Sequence, residues 1–313
     1  MTRPKPNISL NNVDVKNPGQ FFACCGLLEL AYRLRPGAEG WFEGPAFHIA
    51  GSMPLNGILE RLASAEIRSS LSPDDLRSLG RLLSKEKDAL TETERVEKTR
   101  LQRMWRLERL WLGSPFGICL DWWRDNHGQR TDLKTWAAKQ MVAEMADRMF
   151  SIVRQEIPRL SAPERELFFE SNDDSLPFNF DSDLCRTGNA RDAGFSADTL
   201  RIKSSYRPLL EMLAFIALQR FQPTCVSDGE FFTYCTWGVP LPPPIGAAAT
   251  SGAIPVAFQR RYGFTLFSRT KYMKAFLPAT AVSEFQQSSR VFAVRGGSFA
   301  ARRGGTRSLL RES

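Results

Sequence analysis

The stretch that most constrains this chain is NPGQFFACCGLLELAYRL, from Asn17 to Leu34, where a turn, a helix start and an almost wholly apolar helix follow without a gap. Asn17-Pro18-Gly19 breaks the preceding ISLNNVDV run, because proline fixes its own φ and removes a donor while glycine accepts φ > 0. Phe21, Phe22, Cys25, Leu28 and Tyr32 recur at three-to-four spacing, and Ala23, Cys24, Leu27, Leu30 and Ala31 fill most remaining positions. A helix apolar nearly all round has to be buried, so the chain must supply covering layers. Pro36-Gly37 ends the helix, and GWFEGPAFHIAG, Gly40 to Gly51, reads as two short strands around a Gly-Pro break. Strand, buried helix and strand predict a βαβ-like opening unit over residues 1–52, a ferredoxin-like arrangement being one form of it.

Residues 53–165 carry mainly helical patterns. Ile58, Leu59, Leu62 and Ile67 stand at helical spacing, and Ser72-Pro73-Asp74-Asp75 is a helix start with acids in its first turn. Lys85 to Leu112 is predicted as one long helix, polar and projecting in its first half, with Leu101, Met104, Trp105, Leu107, Leu110 and Trp111 as a stripe in its second. Arg100, Arg103 and Arg106 share a drifting face of that helix that meets either phosphates or solvent. FGICLDWW, Phe116 to Trp123, has strand composition. Leu133 to Ile157 is an amphipathic helix whose Met141, Met145 and Met149 are expected in the core.

A second lobe is expected over residues 166–294. SYRPLLEMLAFIALQRF, Ser205 to Phe221, mirrors the first apolar helix, with FNFDSD read as a strand before it and Phe231 to Val239 as a strand after it. LPPPIGAAATSGAIP is read as a turn-rich connection without packing residues. The fold class is therefore α+β, with two sheet-containing lobes, each with a buried helix, separated by the helical region. Residues 295–313, rich in Arg and Gly and poor in apolar side chains, are expected to be a disordered basic tail.

The chain has 313 residues, 42% of them hydrophobic, enough for a large core, and no apolar run approaches the eighteen needed to span a membrane. Met1 to Ser9 is polar and broken by prolines, unlike an export signal. Six cysteines at 24, 25, 119, 185, 225 and 235 form no C-x-x-C pair, which suits neither a zinc site nor a disulfide framework. A cytoplasmic protein without cofactor or metal is the expectation. Val256 to Ser313 holds eleven basic residues against Glu284 and Glu312, a net of +9 out of +8 for the whole chain, so the remainder sums to −1. An excess gathered at one end points to an anionic partner.

Within that end, VAFQRRYGFTLFSRTKYMKAFLP interleaves cations and aromatics over two short strands, with Phe264, Leu266 and Ser268 on one face and Tyr262, Thr265 and Phe267 partly on the other, interrupted at Gly263. Cations that neutralise phosphates and rings that stack on any base are what a backbone-tracking surface requires. The candidate nucleic-acid-binding residues are Arg260, Arg261, Tyr262, Arg269, Lys271, Tyr272 and Lys274, with Arg302, Arg303 and Arg307 in the tail. No catalytic residue is assigned. Asp173, Asp174, Asp181 and Asp183 form the one acidic cluster that could hold Mg²⁺ for a nuclease, yet no histidine or lysine accompanies them. His48 fits a strand rim and His127 a surface turn, and no nucleotide-binding or hydrolase motif occurs.

NPGQFFACCGLLELA, LDWW at Leu120–Trp123, LKTWA at Leu133–Ala137, DAGFS at Asp192–Ser196, RPLLEMLAFIALQRF at Arg207–Phe221 and KYMKAFLPA at Lys271–Ala279 occur in one order. Together they resemble the third of the Csb-series CRISPR-associated proteins of type I-U (I-G) systems, a large-subunit-like component of the RNA-guided effector complex. The resemblance implies guide RNA and/or target DNA and the other effector subunits as partners, and it transfers no active site. The expected function is a non-catalytic, nucleic-acid-contacting subunit of a Cascade-like complex in antiviral defence. The alternatives are a Mg²⁺-dependent nuclease using the Asp173–Asp183 acids and a structural subunit without nucleic-acid contact.

Overall fold

A computed structural model describes residues 3–124, 132–136, 140–171, 177–184, 205–227, 231–268 and 274–282. His127, Asp173 and Asp174, the DAGFS block, and the expected tail lie outside the described residues. The fold is α+β. β1 (Ile8–Leu10), α1 (Pro18–Leu34), β2 (Glu39–Glu43) and β3 (Ala46–Ala50) open the chain, and their antiparallel sheet has the order β1-β3-β2. β1 and β2 therefore run parallel on either side of β3, with α1 crossing between them, which is a split βαβ unit. A complete ferredoxin-like sheet would place the next strand beside β1. Instead β4 (Ile67–Ser69), after α2 (Leu55–Ser64), joins β5 (Leu110–Leu112) and β6 (Ile118–Leu120) in a separate sheet.

That second sheet corrects the long helix expected over Lys85–Leu112. α3 (Pro73–Ser84) is followed by α4 (Glu92–Arg106), which starts on a Thr91/Glu94 capping box and stops at Leu107. Beyond it Leu110 and Leu112 alternate with Trp111 and pair with Ile67–Ser69 and Ile118–Leu120, so sheet pairing overrides the helical spacing. The polar first half of α4 does not project freely. A small core of Leu79, Leu82, Leu90, Leu101 and Met141 joins it to α3, and Lys98 Nζ donates to the Leu82 carbonyl at 2.8 Å.

α5 (Val142–Glu156) carries the expected methionines into the interior, Met145 and Met149 among them, and α6 (Pro163–Glu166) is one short turn. FNFDSD is not a strand: Phe178, Asn179, Phe180 and Asp181 run as an irregular segment, with Asn179 at φ 64°. α7 (Pro208–Ala217) then leads to β7 (Thr224–Ser227), β8 (Phe231–Thr236), β9 (Arg260–Ser268), β10 (Lys274–Phe276) and β11 (Thr280–Ala281). These strands form an antiparallel sheet of order β10-β9-β8-β7, with β11 also on β9. LPPPIGAAATSGAIP, expected as a loose connection, contains α8 (Pro243–Thr250). Its small residues allow a close seat: a Cβ on Gly246 would stand 3.2 and 3.3 Å from the Trp237 and Phe221 rings.

The two apolar helices expected at the centres of separate lobes pack on each other. A side chain on Gly26 of α1 would run into the Leu213 carbonyl of α7, so glycine is what lets the backbones meet. Glu29 of α1, buried, takes Arg220 Nε at 2.7 Å and Arg33 Nε at 2.8 Å, an ionic tie between the helix and the turn after α7. Aromatic rings continue the joint: Phe21 stacks on Tyr234 of β8 at 4.4 Å, and Trp237 Nε1 donates to the Gly40 carbonyl at 2.7 Å. One core thus extends from Ile8 to Ala279, and the divisions expected at residues 52 and 165 fall inside it. Met1–Ala281 is a single compact unit. Among the described residues no helix is long and apolar enough to cross a membrane.

Candidate nucleic-acid interface

β9 pairs with β8 over Arg260–Thr265 and with β10 over Leu266–Ser268. Because successive side chains on a strand point to opposite faces, Tyr262, Phe264 and Leu266 fall together on the core side. Tyr262, 5% exposed, lies 5.8 Å from Tyr234, and Phe264 lies 4.9 Å from Phe276. The expected split of these residues at Gly263 does not occur, since Gly263 keeps the ladder in register opposite Thr233. Tyr262 is accordingly covered and presents no ring to a base.

Arg260 is exposed and Arg261 half-buried, on opposite faces at the start of the strand. The Arg261 guanidinium reaches over Gly252, where a Cβ would stand 3.0 Å from Nη2. Among the described residues no carboxylate comes within ion-pairing distance of either arginine. Just before them Phe258 is 74% exposed at φ 57°, with Arg3 over its ring at 5.9 Å. Arg3 is itself fixed by the Gly238 carbonyl at 2.9 Å and by Glu43. Phe258, absent from the sequence-based list, is thus the open ring beside these cations. Its place in VAFQRR, two residues ahead of Arg260, was the available signal, but the left-handed backbone that turns it outward is not encoded in a residue type.

Lys274 sits at the other end of β9, opposite Ser268, with its backbone N–H on the Thr135 carbonyl at 2.7 Å and Nζ 3.4 Å from the Asp132 carbonyl. At about 3.3 Å per residue, roughly 25 Å of strand separates it from Arg260. Among the described residues the cations form two stations, Arg260 and Arg261 at the start of β9 and Lys274 on β10 beside its end. Arg269, Lys271, Tyr272, Arg302, Arg303 and Arg307 lie outside the described residues.

The described acids of the candidate metal cluster have other work. Asn17 Oδ1 accepts the N–H groups of Gly19, Gln20 and Ser182, and its Nδ2 donates to Asp181 Oδ1 at 2.7 Å. Arg207 Nη1 stands 3.1 Å from Asp181 Oδ2 and 3.5 Å from Asp183 Oδ2. Burial pushes the Asp181 carboxyl up, while Asn17 and then Arg207 draw it back down. Beneath them Glu211 accepts the N–H groups of Phe180 and Asp181, each at 3.1 Å. Complete burial pushes its carboxyl up to about 8, and the nearby Asp181 adds to the rise. Asp181 and Asp183 therefore fasten residues 177–184 to the first turns of α1 and α7. His48, as expected for a strand rim, is half-buried with Nδ1 2.9 Å from Ser9 Oγ. No protein-family model matches the chain, and no curated protein and no solved structure matches it either.

Proposed function

We propose that this chain is a non-catalytic subunit of a type I-U CRISPR RNA-guided interference complex, working in the cytoplasm alongside other effector subunits. It contacts the sugar-phosphate backbone of guide RNA or target DNA. The ordered blocks from Asn17 to Ala279 supply the class of assembly. The observation that carries nucleic-acid contact is the start of β9, where Arg260 and Arg261, free of carboxylates among the described residues, stand beside the exposed Phe258. In such a complex base pairing by the guide supplies sequence recognition, and this subunit contributes charge, stacking and shape.

The acids weigh against the nuclease alternative. A Mg²⁺ ion needs carboxylate oxygens free to coordinate it, whereas Asp181 has both oxygens engaged by Asn17 and Arg207. The test is made inside the reconstituted complex. Arg260→Ala with Arg261→Ala weakens binding for every sequence and lowers the salt slope by roughly 0.7–0.9 per lost phosphate contact. Unchanged assembly and unchanged affinity across salt concentrations would assign the strand to solvent and leave a purely structural subunit. Mg²⁺-dependent cleavage lost in Asp181→Asn with Asp183→Asn, with the fold intact, would restore the nuclease.

A further inference from the structure

The sheet β4-β5-β6 is apolar on one side only. Leu110, Leu112, Ile118 and Leu120 are buried, and the alternation that buries them turns Arg68, Arg109, Trp111 and Cys119 to the opposite face. In the ladder Trp111 lies directly between Arg68 and Cys119, at the middle of the middle strand, and is 37% exposed. The other tryptophans on these strands' flanks, Trp122 and Trp123, are buried. Leu107, Glu108 and Arg109 join α4 to β5, and the last turn of α4 adds Met104, Arg103 and Arg106, with Leu107, 59% exposed, as its C-cap.

The arginines around this apolar patch differ in their partners. Arg68 has Glu66 at 2.7 Å and Arg109 has Asp121 at 3.3 Å. Arg103 and Arg106 are exposed, and no carboxylate among the described residues pairs with them, whereas Arg100 one turn earlier is held by Glu97 and Asp75. Arg124, half-buried, donates from Nη1 to the Arg106 carbonyl at 3.1 Å and leaves Nε unpartnered. The acid that lies beneath, Glu108, is buried on the Ser69 hydroxyl, and burial pushes its carboxyl up to about 7.

We infer that the outer face of β4-β5-β6 and the last turn of α4 form a second binding surface for single-stranded nucleic acid. A base stacks on Trp111 and the backbone runs over Arg103 and Arg106. The ring alone would suit a protein partner equally. The arginines decide it: an apolar protein patch brings no charge to neutralise them, while a polyanion meets the cations and the ring at once. The surface shares no residue with β9, so the inference stands or falls independently of the reading proposed for Arg260 and Arg261.

The full chain is titrated with fluorescent dT15 and U15 at two salt concentrations, with tryptophan quenching and ultraviolet crosslinking as second readouts. Trp111→Ala weakens binding about 5- to 150-fold with the salt slope unchanged, and Trp111→Phe restores most of the loss. Arg103→Gln with Arg106→Gln lowers the slope by about 0.7 per contact, as expected for a single strand. Crosslinks map to β5. Both variants change exposed side chains, and equal melting temperatures show that neither acts by unfolding. Affinity, quenching and crosslinks unaffected by both variants overturn the inference, including the case where Arg260→Gln with Arg261→Gln alone abolishes binding. That last result would leave the β9 reading intact.

Discussion

Asn17 joins Asp181, 164 residues further along the chain, its Nδ2 2.7 Å from Oδ1, while its own Oδ1 caps α1. One amide therefore starts the first buried helix and holds the segment that precedes the second. Asn17→Ala removes a cap and leaves a buried carboxylate short of a donor, at a cost of about 2–4 kcal/mol. Denaturant unfolding measures it. A loss below about 0.5 kcal/mol would mean the cap and the clasp are replaceable by water.

Gly26 sets the distance between α1 and α7. Alanine is the better helix former by about 1 kcal/mol, but its methyl would occupy the space of the Leu213 carbonyl, and backbone cannot step aside as a side chain can. Gly26→Ala is expected to destabilise by about 2 kcal/mol or more, with a lower melting temperature as the readout. An increase in stability would show that the helices can separate freely.

Glu211 gives the fold a pH dependence. Its carboxyl titrates at about 8 when folded, against an ordinary 4.5, so between those values the folded chain holds a proton that the unfolded chain has released. The stability tied to this group is complete below pH about 4.5 and is lost as pH rises through about 8. Glu211→Gln keeps an oxygen for the N–H groups of Phe180 and Asp181 and carries no titrating proton. The variant should gain on the parent steadily from pH 5 to about pH 8 and level off above it. A constant difference over that range would place the charged form in the fold already.

Phe258 and Tyr262 separate binding from folding. Phe258→Ala, at an exposed site, changes stability by less than about 0.5 kcal/mol and weakens nucleic-acid binding by about 1–3 kcal/mol. Tyr262→Ala removes a buried ring from beside Tyr234 and costs about 3 kcal/mol of stability. Calorimetry and binding on the same preparations distinguish them, and the reverse pattern would return the stacking role to Tyr262.

The apolar helices were legible because they announce themselves locally: Asn17-Pro18-Gly19 caps one, Pro208 opens the other, and their side chains are apolar nearly all round. The strands β8 and β9 were legible for the same reason. What could not be read was set by partners distant in sequence. Leu110 to Leu112 have helical spacing and become a strand because Ile67 and Ile118 lie beside them. Pro243 to Thr250 looked like a linker because alanine and glycine carry no pattern, and only the rings of Trp237 and Phe221 make their smallness useful. FNFDSD alternates like a strand, but the Glu211 carboxyl claims the N–H groups that a ladder would need. The cations of the candidate interface were found by composition, whereas the ring beside them was not, because Tyr262 is buried by the face of β9 that meets the core and Phe258, ahead of the strand, is turned outward by its left-handed backbone.

The close seat of α1 on α7 also governs how the chain is made. α1 is synthesised well ahead of the surface it packs against, from Pro208 to Ala217, which among the described residues is the last helix but one. At about 5–20 residues per second, an apolar helix waits roughly ten to forty seconds for its partner. During that interval its α7 side is open to chaperones, and any fragment ending before Pro208 keeps that side uncovered. The two halves of this protein are consequently a poor pair to express apart, and a good pair to test by co-expression, where the second half should rescue the first from aggregation.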